Sequence, residues 1–237
     1  MNHYWRIAVL LISILANAFF VSAQENKTSI PKDTAGTEAK KVNARPTVPI
    51  AVAKREPFDT IAVGKMSAQC VTFETNGGAI VAEMFAESAP ETVRNFLNLA
   101  ATGAFDTTTF NRVVKDFVVQ GGNLATHENL TPELSRRAVQ TIPDEPNNIK
   151  HLRGILSMAR SVKSNSATTN FFILVSDAPH LDSTFTAFGR VVRGMETVDA
   201  INHAPLEGEK PVKPVRITRA AVAPCAKEIK QMGEIQP

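Results

Sequence analysis

Residues 110–123 read FNRVVKDFVVQGGN. The apolar residues of this stretch look core-forming, and we predict strands over residues 107–114 (TTTFNRVV) and 116–123 (DFVVQGGN). A guanidinium at Arg112 and an amide at Gln120 interrupt the apolar pattern. Because a buried, unpaired charge is costly, Arg112 must be solvated, paired with an acid or directed at a ligand. The role of Arg112 is therefore the first functional question that the sequence raises.

Length and composition are those of an ordinary globular protein. The chain has 237 residues, of which 43% are hydrophobic and 21% charged, and this predicts one domain with extensions. The formal net charge is +3. Lysines and arginines are scattered along the chain rather than concentrated in one stretch, so the pattern argues against a nucleic-acid partner.

The N-terminus has the pattern of a secretory signal peptide. MNHYWR carries an arginine and no acid, residues 7–20 are apolar, and Val-Ser-Ala precedes Gln24. We predict a signal peptide over residues 1–23 and an exported, periplasmic protein with no stable membrane insertion after cleavage. The apolar run is short for a membrane span. A secreted protein or an uncleaved N-terminal anchor are the alternatives.

Export changes the interpretation of the two cysteines, Cys70 and Cys225. An even pair in an oxidising compartment is a candidate disulfide. Two unrelated buried thiols would be equally compatible with the sequence at this point.

The chain divides into extensions and one folded domain. Residues 24–49 are too polar and proline-rich to form a core, and residues 50–68 contain apolar side chains without a clear period. We predict a largely disordered linker or N-terminal extension over 24–68, which could pack on the domain in its second half. The domain is predicted over 69–225 and a polar tail over 226–237.

The predicted secondary structure of the domain is mainly β. Two alternating runs flank the Asn-Gly-Gly of residues 76–78 and predict a β-hairpin. Amphipathic helices are predicted within 88–103 and 195–201, with a polar loop up to residue 148. Further strand-like runs cover 154–160, 170–176, 186–192 and 215–222. About eight short strands and two helices are consistent with a closed antiparallel β-barrel.

Several kinds of chemistry lack their usual residues. The five histidines are far apart, without the spacing of a metal site. Ser157 lies in GILSMAR, which is not a G-x-S-x-G nucleophile motif, and Gly121-Gly122 lacks a nucleotide-binding context. We therefore predict no metal and no cofactor, and no covalent catalysis.

Four ordered segments together resemble the cyclophilin family of peptidyl-prolyl cis–trans isomerases, most closely its exported bacterial members. They are FNRVVKDFVVQGG, LSMAR, SATTNFFI and LDSTFTAFGRVVRGME, and the likeness extends from about residue 71 to 222. The resemblance implies a closed eight-stranded antiparallel β-barrel capped by two α-helices. It also places the first and last strands side by side in opposite directions, which implies a Cys70–Cys225 disulfide.

The activity implied by the resemblance is acceleration of rotation about X–Pro bonds, assisting the folding of exported proteins. Resonance makes this rotation cost about 18–20 kcal/mol, and a catalyst needs no nucleophile to lower it. Arg112 matches the catalytic arginine of the family, whose rigid donors would stabilise the twisted prolyl nitrogen. A surface arginine in a salt bridge is the alternative. The expected partners are extended or unfolded proline-containing segments, bound by a monomer.

The substrate groove implied by the resemblance combines a proline pocket, an amide that orients Arg112 and an edge that binds the peptide backbone. From periodicity alone, the apolar members would be ordinary core residues. The matching substrate-binding positions are Phe117, Val118, Gln120, Ala159, Arg160, Asn170, Phe172, His180, Leu181 and Phe185.

Some positions depart from the family pattern. Asn111 stands in place of a histidine, Asn170 in place of a glutamine, and His180 in place of the tryptophan that favours cyclosporin binding. The first two keep open a second hypothesis, a module that holds proline-containing segments with little turnover. A third hypothesis is a structural or adhesive exported protein that acts through residues 24–68.

Overall fold

The computed structural model describes residues 55–225. The predicted signal peptide (1–23), the linker up to residue 54 and the polar tail (226–237) lie outside the described residues. Within 55–225, no helix is both long and apolar enough to cross a membrane.

The described chain is mainly β, as predicted. Ten strands alternate with four short α-helices and two single-turn 3₁₀ helices, at Leu124–Thr126 and Pro179–Leu181. The strands are β1 (Gln69–Thr75), β2 (Gly78–Met84), β3 (Arg112–Val114), β4 (Val118–Gly121), β5 (Ile155–Met158), β6 (Phe171–Leu174), β7 (Ala187–Arg193), β8 (Leu206–Glu207), β9 (Lys210–Pro211) and β10 (Ile217–Pro224). The helices are α1 (Val63–Met66), α2 (Pro90–Ala101), α3 (Pro132–Ala138) and α4 (Met195–His203).

Eight of the strands form one curled antiparallel sheet in the order β10-β1-β2-β7-β5-β6-β4-β3. The predicted closed barrel is wrong, because the edge strands β3 and β10 are not paired along their lengths and the sheet remains an open half-barrel. The chain next to the two edges meets at the isolated bridge Thr109–Arg216 and at backbone hydrogen bonds between residues 107–110 and 215–217. The outer edge of the three-residue strand β3 is occupied instead by the β8–β9 hairpin, since the Val113 amide donates to the Glu209 carbonyl oxygen at 2.8 Å.

The first hairpin forms where the sequence predicted it. β1 and β2 pair from Cys70–Glu83 to Thr75–Gly78. Gly78 has a φ of +131°, and a Cβ there would lie 2.4 Å from the Thr197 side-chain oxygen in α4. Glycine therefore allows both the turn geometry and the close approach of α4 to the sheet.

The hydrophobic core lies between α2 and the concave face of the sheet. Pro90 begins α2, and the predicted apolar stripe is buried along it, with Phe96 1% exposed. The Phe96 ring lies 4.7 Å from Phe188 and 5.2 Å from Phe171, between ring centroids. These contacts are within the range of favourable aromatic pairs. The two predicted helices correspond to α2 and α4, whereas α1 and α3 form in the predicted extension and polar loop.

Residues 55–68 pack on α2. The Phe58 amide donates to the Asn98 side-chain oxygen at 2.7 Å, and Arg94 donates to the Ile61 carbonyl at 3.0 Å. Met66 is fully buried. Two polar side chains of α2 thus hold the backbone of this segment, which explains why it is ordered without an apolar period.

The Cys70–Cys225 disulfide is formed, with the Cα atoms 5.0 Å apart. β1 and β10 pair from Gln69–Pro224 to Thr75–Ile217, and this register brings the two cysteines together. The implied pairing is therefore confirmed. The bond closes a loop with a sequence separation of 155.

Reduction of this disulfide is expected to lower the free energy of unfolding substantially, because it releases the loop in the unfolded chain. The chain-entropy argument gives about 4–5 kcal/mol. Urea unfolding with and without dithiothreitol measures the difference. A Cys70→Ser/Cys225→Ser variant should already have the lower stability and should not respond to the reductant; equal stability of the oxidised and reduced protein would contradict the expectation.

Candidate active site

A groove of about 520 Å³ runs across the convex face of the sheet beside β3, β4 and β6. Arg112 and nine of the ten residues predicted to bind substrate line it. The exception is His180, which lies outside the lining and packs on Phe117 with ring centroids 5.6 Å apart. The complete lining is Arg112, Phe117, Val118, Gln120, Ala159, Arg160, Ser161, Ser166, Thr168, Asn170, Phe172, Leu181 and Phe185.

Strand register brings the polar and apolar parts of the groove together. Arg112 lies opposite Gln120 in the β3–β4 pair, and Gln120 lies opposite Phe172 in the β4–β6 pair. Ser157 continues this row on β5. Since directly opposed residues of an antiparallel sheet project from the same face, a cation, an amide and an aromatic ring stand side by side on the surface turned away from the core.

Arg112 is both paired and turned toward the groove. Its Nη1 donates to Gln120 Oε1 at 3.1 Å, and its Nε donates to Glu209 Oε2 at 2.7 Å. The side chain is 42% exposed. The sequence predicted the contact with Gln120 through the family resemblance. It gave no signal for Glu209, which lies 97 residues away along the chain.

The apolar half of the groove is a small cluster separate from the main core. Val118, Phe172 and Leu181 are 2%, 7% and 8% exposed, and Phe117 and Phe185 pack against them. The Phe172 and Phe185 rings meet edge to face, with centroids 6.2 Å apart. The result is a shallow pocket with rigid aromatic walls next to the guanidinium of Arg112.

Arg160 forms the polar rim on the far side of this pocket. Its guanidinium carbon lies 4.8 Å from the centroid of the Phe185 ring, in cation–π range. Nη2 donates to the Thr184 carbonyl at 3.3 Å, and Nε is 3.8 Å from Asp144 Oδ2. The Ala159 amide donates to the Asn170 carbonyl at 3.0 Å, which fixes the start of the same loop.

The sequence did not indicate a role in the site for five further residues. None lies within the apolar periodicity of a strand, and four of them come from loops that the chain folds against the groove. They are Asp144, Ser161, Ser166, Thr168 and Glu209.

A buried Ser–His–Asp arrangement includes Ser157, the residue opposite Phe172 in the β5–β6 pair. His151 Nε2 is 3.1 Å from Ser157 Oγ, and His151 Nδ1 is 3.3 Å from Asp182 Oδ1. Ser157 is 0% exposed, so its hydroxyl cannot reach a substrate and the arrangement is structural. Among residues 55–225, no group of three or more His, Cys, Asp or Glu side chains could hold a metal ion.

The charges of this arrangement depend on burial and on hydrogen bonds. Burial lowers the pKa of His151, and the Asp182 carboxylate opposes that effect only in part. The pKa of Asp182 is lowered, mainly by the hydrogen bond from the His151 backbone amide and then by Lys150. His151 is therefore held neutral and Asp182 ionised near neutral pH.

Stability is expected to fall as the pH drops through about 6.5, the ordinary pKa of histidine. Below that pH the unfolded chain binds a proton at His151 more readily than the folded chain, whose pKa is lower, so acid favours unfolding. Urea unfolding at pH 7.5 and 5.5 measures the slope. His151→Gln should flatten it, whereas His203→Gln, at an exposed position, should not; an unchanged slope in His151→Gln would refute the assignment.

Comparison with known proteins agrees with this geometry. The family described as "Cyclophilin type peptidyl-prolyl cis-trans isomerase/CLD" matches residues 70–222. The chain is 38% identical over 160 residues to peptidyl-prolyl cis-trans isomerase CYP18-2 of Arabidopsis thaliana, covering 64% of this chain and 92% of that protein. It is 40% identical over 141 residues to peptidyl-prolyl cis-trans isomerase B of Escherichia coli (strain K12), covering 55% and 82%.

A solved structure gives the same result. A cyclophilin-type peptidyl-prolyl cis-trans isomerase of Cryptosporidium parvum, crystallised in the presence of the dipeptide Ala-Pro, superposes with a TM-score of 0.57. The two proteins are 29% identical, and the match covers 65% of this chain and 98% of that one. The chain therefore belongs to the cyclophilin-type peptidyl-prolyl cis–trans isomerase family and is an enzyme of that kind.

Proposed function

We propose that this isomerase acts on extended, proline-containing segments of exported polypeptides, as a monomer, and that Arg112 is its catalytic residue. The observation that carries the proposal is the placement of the Arg112 guanidinium beside a shallow apolar pocket. The pocket residues Phe172 and Leu181 offer a pyrrolidine ring an apolar surface. The Ala-Pro dipeptide used with the C. parvum relative supports a proline-containing ligand.

The reaction requires stabilisation of one atom only. As the X–Pro bond twists, the prolyl nitrogen loses resonance with the carbonyl and becomes a better hydrogen-bond acceptor. A guanidinium has five N–H donors, and Arg112 uses two of them on Gln120 and Glu209. The other three are available for the substrate, and a donor that binds the twisted nitrogen better than the planar one lowers the barrier.

The walls of the groove would hold the rest of the peptide still while one side of the bond rotates. The aromatic rings of Phe172 and Phe185 fix the proline ring by packing. The backbone at Ala159 and the Asn170 side chain border the groove and would bind the preceding residues of the peptide. This arrangement needs no bond to be made or broken.

Arg112→Ala is expected to reduce kcat/KM for a proline-containing tetrapeptide about a hundredfold, the usual cost of removing one preorganised donor. Arg219→Ala is the matched control, because Arg219 is an exposed arginine on β10 that does not line the groove. Exchange spectroscopy on the cis and trans peptide measures the rates. Equal rates for the wild type and Arg112→Ala would refute the assignment of Arg112.

The same experiment addresses the alternative of a holding module. A wild-type protein that binds the peptide and does not accelerate its exchange would favour holding over catalysis. The contacts that fix Arg112 argue against this alternative, since a groove that only binds gains little from a donor directed at the twisted transition state.

We also propose that the protein is exported, on the basis of the signal-like residues 1–23 and the disulfide. The N-terminal sequence of the protein purified from its host should begin at Gln24, and the protein should be found in the periplasmic fraction. An N-terminus that retains residues 1–23 on a membrane-bound protein would instead indicate a signal anchor, the alternative considered above.

A further inference from the structure

Resting on the proposed role of Arg112, we propose that Glu209 is a positioning residue for the isomerase reaction. Its carboxylate oxygen accepts a hydrogen bond from Arg112 Nε at 2.7 Å, while Gln120 accepts from Nη1 at 3.1 Å. One partner would leave the planar guanidinium free to swing about that contact. Two partners on different nitrogens fix its orientation, so that the remaining donors point in one direction.

The main chain brings Glu209 to Arg112. Gly208 and Glu209 form the two-residue turn of the β8–β9 hairpin. On either side of the turn, Glu207 of β8 pairs with Lys210 of β9. The Glu209 carbonyl accepts the Val113 amide at 2.8 Å. Because Val113 is the next residue after Arg112, this backbone bond anchors the turn directly beside the guanidinium. The backbone of Glu209, which carries the carboxylate, is therefore held in place by a hydrogen bond and does not belong to a freely moving loop.

Folding stability does not account for this contact. The two side chains are 42% and 55% exposed, and exposed ion pairs contribute little to stability. Within the part of the chain that the structure describes, Glu209 is the only acid in salt-bridge contact with Arg112. Orientation of a reacting donor, by contrast, acts directly on the rate.

The relevant property of Glu209 is its acceptor oxygen. The prolyl nitrogen is uncharged in the twisted state and needs a directed N–H group. Glutamine keeps a side-chain acceptor oxygen at the same distance from the backbone, whereas alanine has none. The conservative variant should therefore preserve most of the function, and the truncated variant should not.

The test compares Glu209→Ala, Glu209→Gln and the matched control Glu207→Ala, which removes an exposed acid from the same hairpin. We expect Glu209→Ala to lower kcat by about threefold to fivefold, the upper range for an exposed pair, with little change in KM. Glu209→Gln should recover most of the rate, and Glu207→Ala should equal the wild type. An equal loss in Glu207→Ala would overturn the proposal, since it would indicate damage to the hairpin.

A second comparison separates this inference from the function on which it rests. In an Arg112→Ala background, Glu209→Ala should cause no further loss, because Glu209 acts through Arg112. A further loss there would overturn the inference, as would a wild-type rate for Glu209→Ala alone when Arg112→Ala is impaired. If Arg112→Ala itself retained the wild-type rate, the catalytic assignment would fail first, before Glu209 is considered.

A spectroscopic measurement tests the contact without reference to activity. Solvent exchange of the Arg112 Nε–H proton, followed by NMR in the full chain, should be slower in the wild type and Glu209→Gln than in Glu209→Ala. Equal exchange in all three proteins would show that the contact is not maintained in solution and would overturn the proposal.

Discussion

The pairing of β3 with β4 sets Arg112 directly opposite Gln120, and the geometry of the site follows from this register. Side chains alternate between the two faces of a sheet, so a slip of one residue would turn Arg112 into the core and Val113 outward. Val113 and Val119 are fully buried, and their burial resists such a slip. The hydrophobic core therefore specifies which atoms face the substrate.

The two faces of the sheet have different roles. On the concave face, the phenylalanine rings around Phe96 hold the sheet to α2. On the convex face, the smaller cluster around Phe172 forms the pocket, and the buried His151 network lies next to it through Ser157, which is opposite Phe172. Because Phe171 and Phe172 are neighbours on β6 and project to opposite faces, one strand connects the packing of the core to the shape of the groove.

Most of the fold and much of the site could be predicted from the sequence, for identifiable reasons. The hairpin at Asn76-Gly77-Gly78 and the apolar stripe of α2 depend on local patterns, whereas the groove residues were assigned through the resemblance to the cyclophilin family. The open edge of the sheet could not be predicted, because it depends on the β8–β9 hairpin. The strands of that hairpin have only two residues each and show almost no sequence pattern. Glu209 was missed for the same reason.

Other differences also come from contacts between distant segments. The family resemblance assigned His180 to the groove, yet the 3₁₀ turn at Pro179–Leu181 directs Leu181 into the pocket and leaves His180 outside it against Phe117. Residues 55–68 show no apolar periodicity. Their backbone is held instead by two side chains of α2, since Arg94 donates to the Ile61 carbonyl and Asn98 accepts from the Phe58 amide. Such side-chain contacts with the backbone have no counterpart in a hydrophobic pattern.

The disulfide has a mechanical consequence as well. Cys70 is the second residue of β1 and Cys225 directly follows β10, so a covalent bond joins the two ends of the domain where the chain enters and leaves it. Tension applied to the two termini would pass through the sulfur atoms and bypass the strands between them. Among the described residues 55–225, only those before Cys70, including α1, could be peeled away by such a pull, and the groove would keep its shape under load.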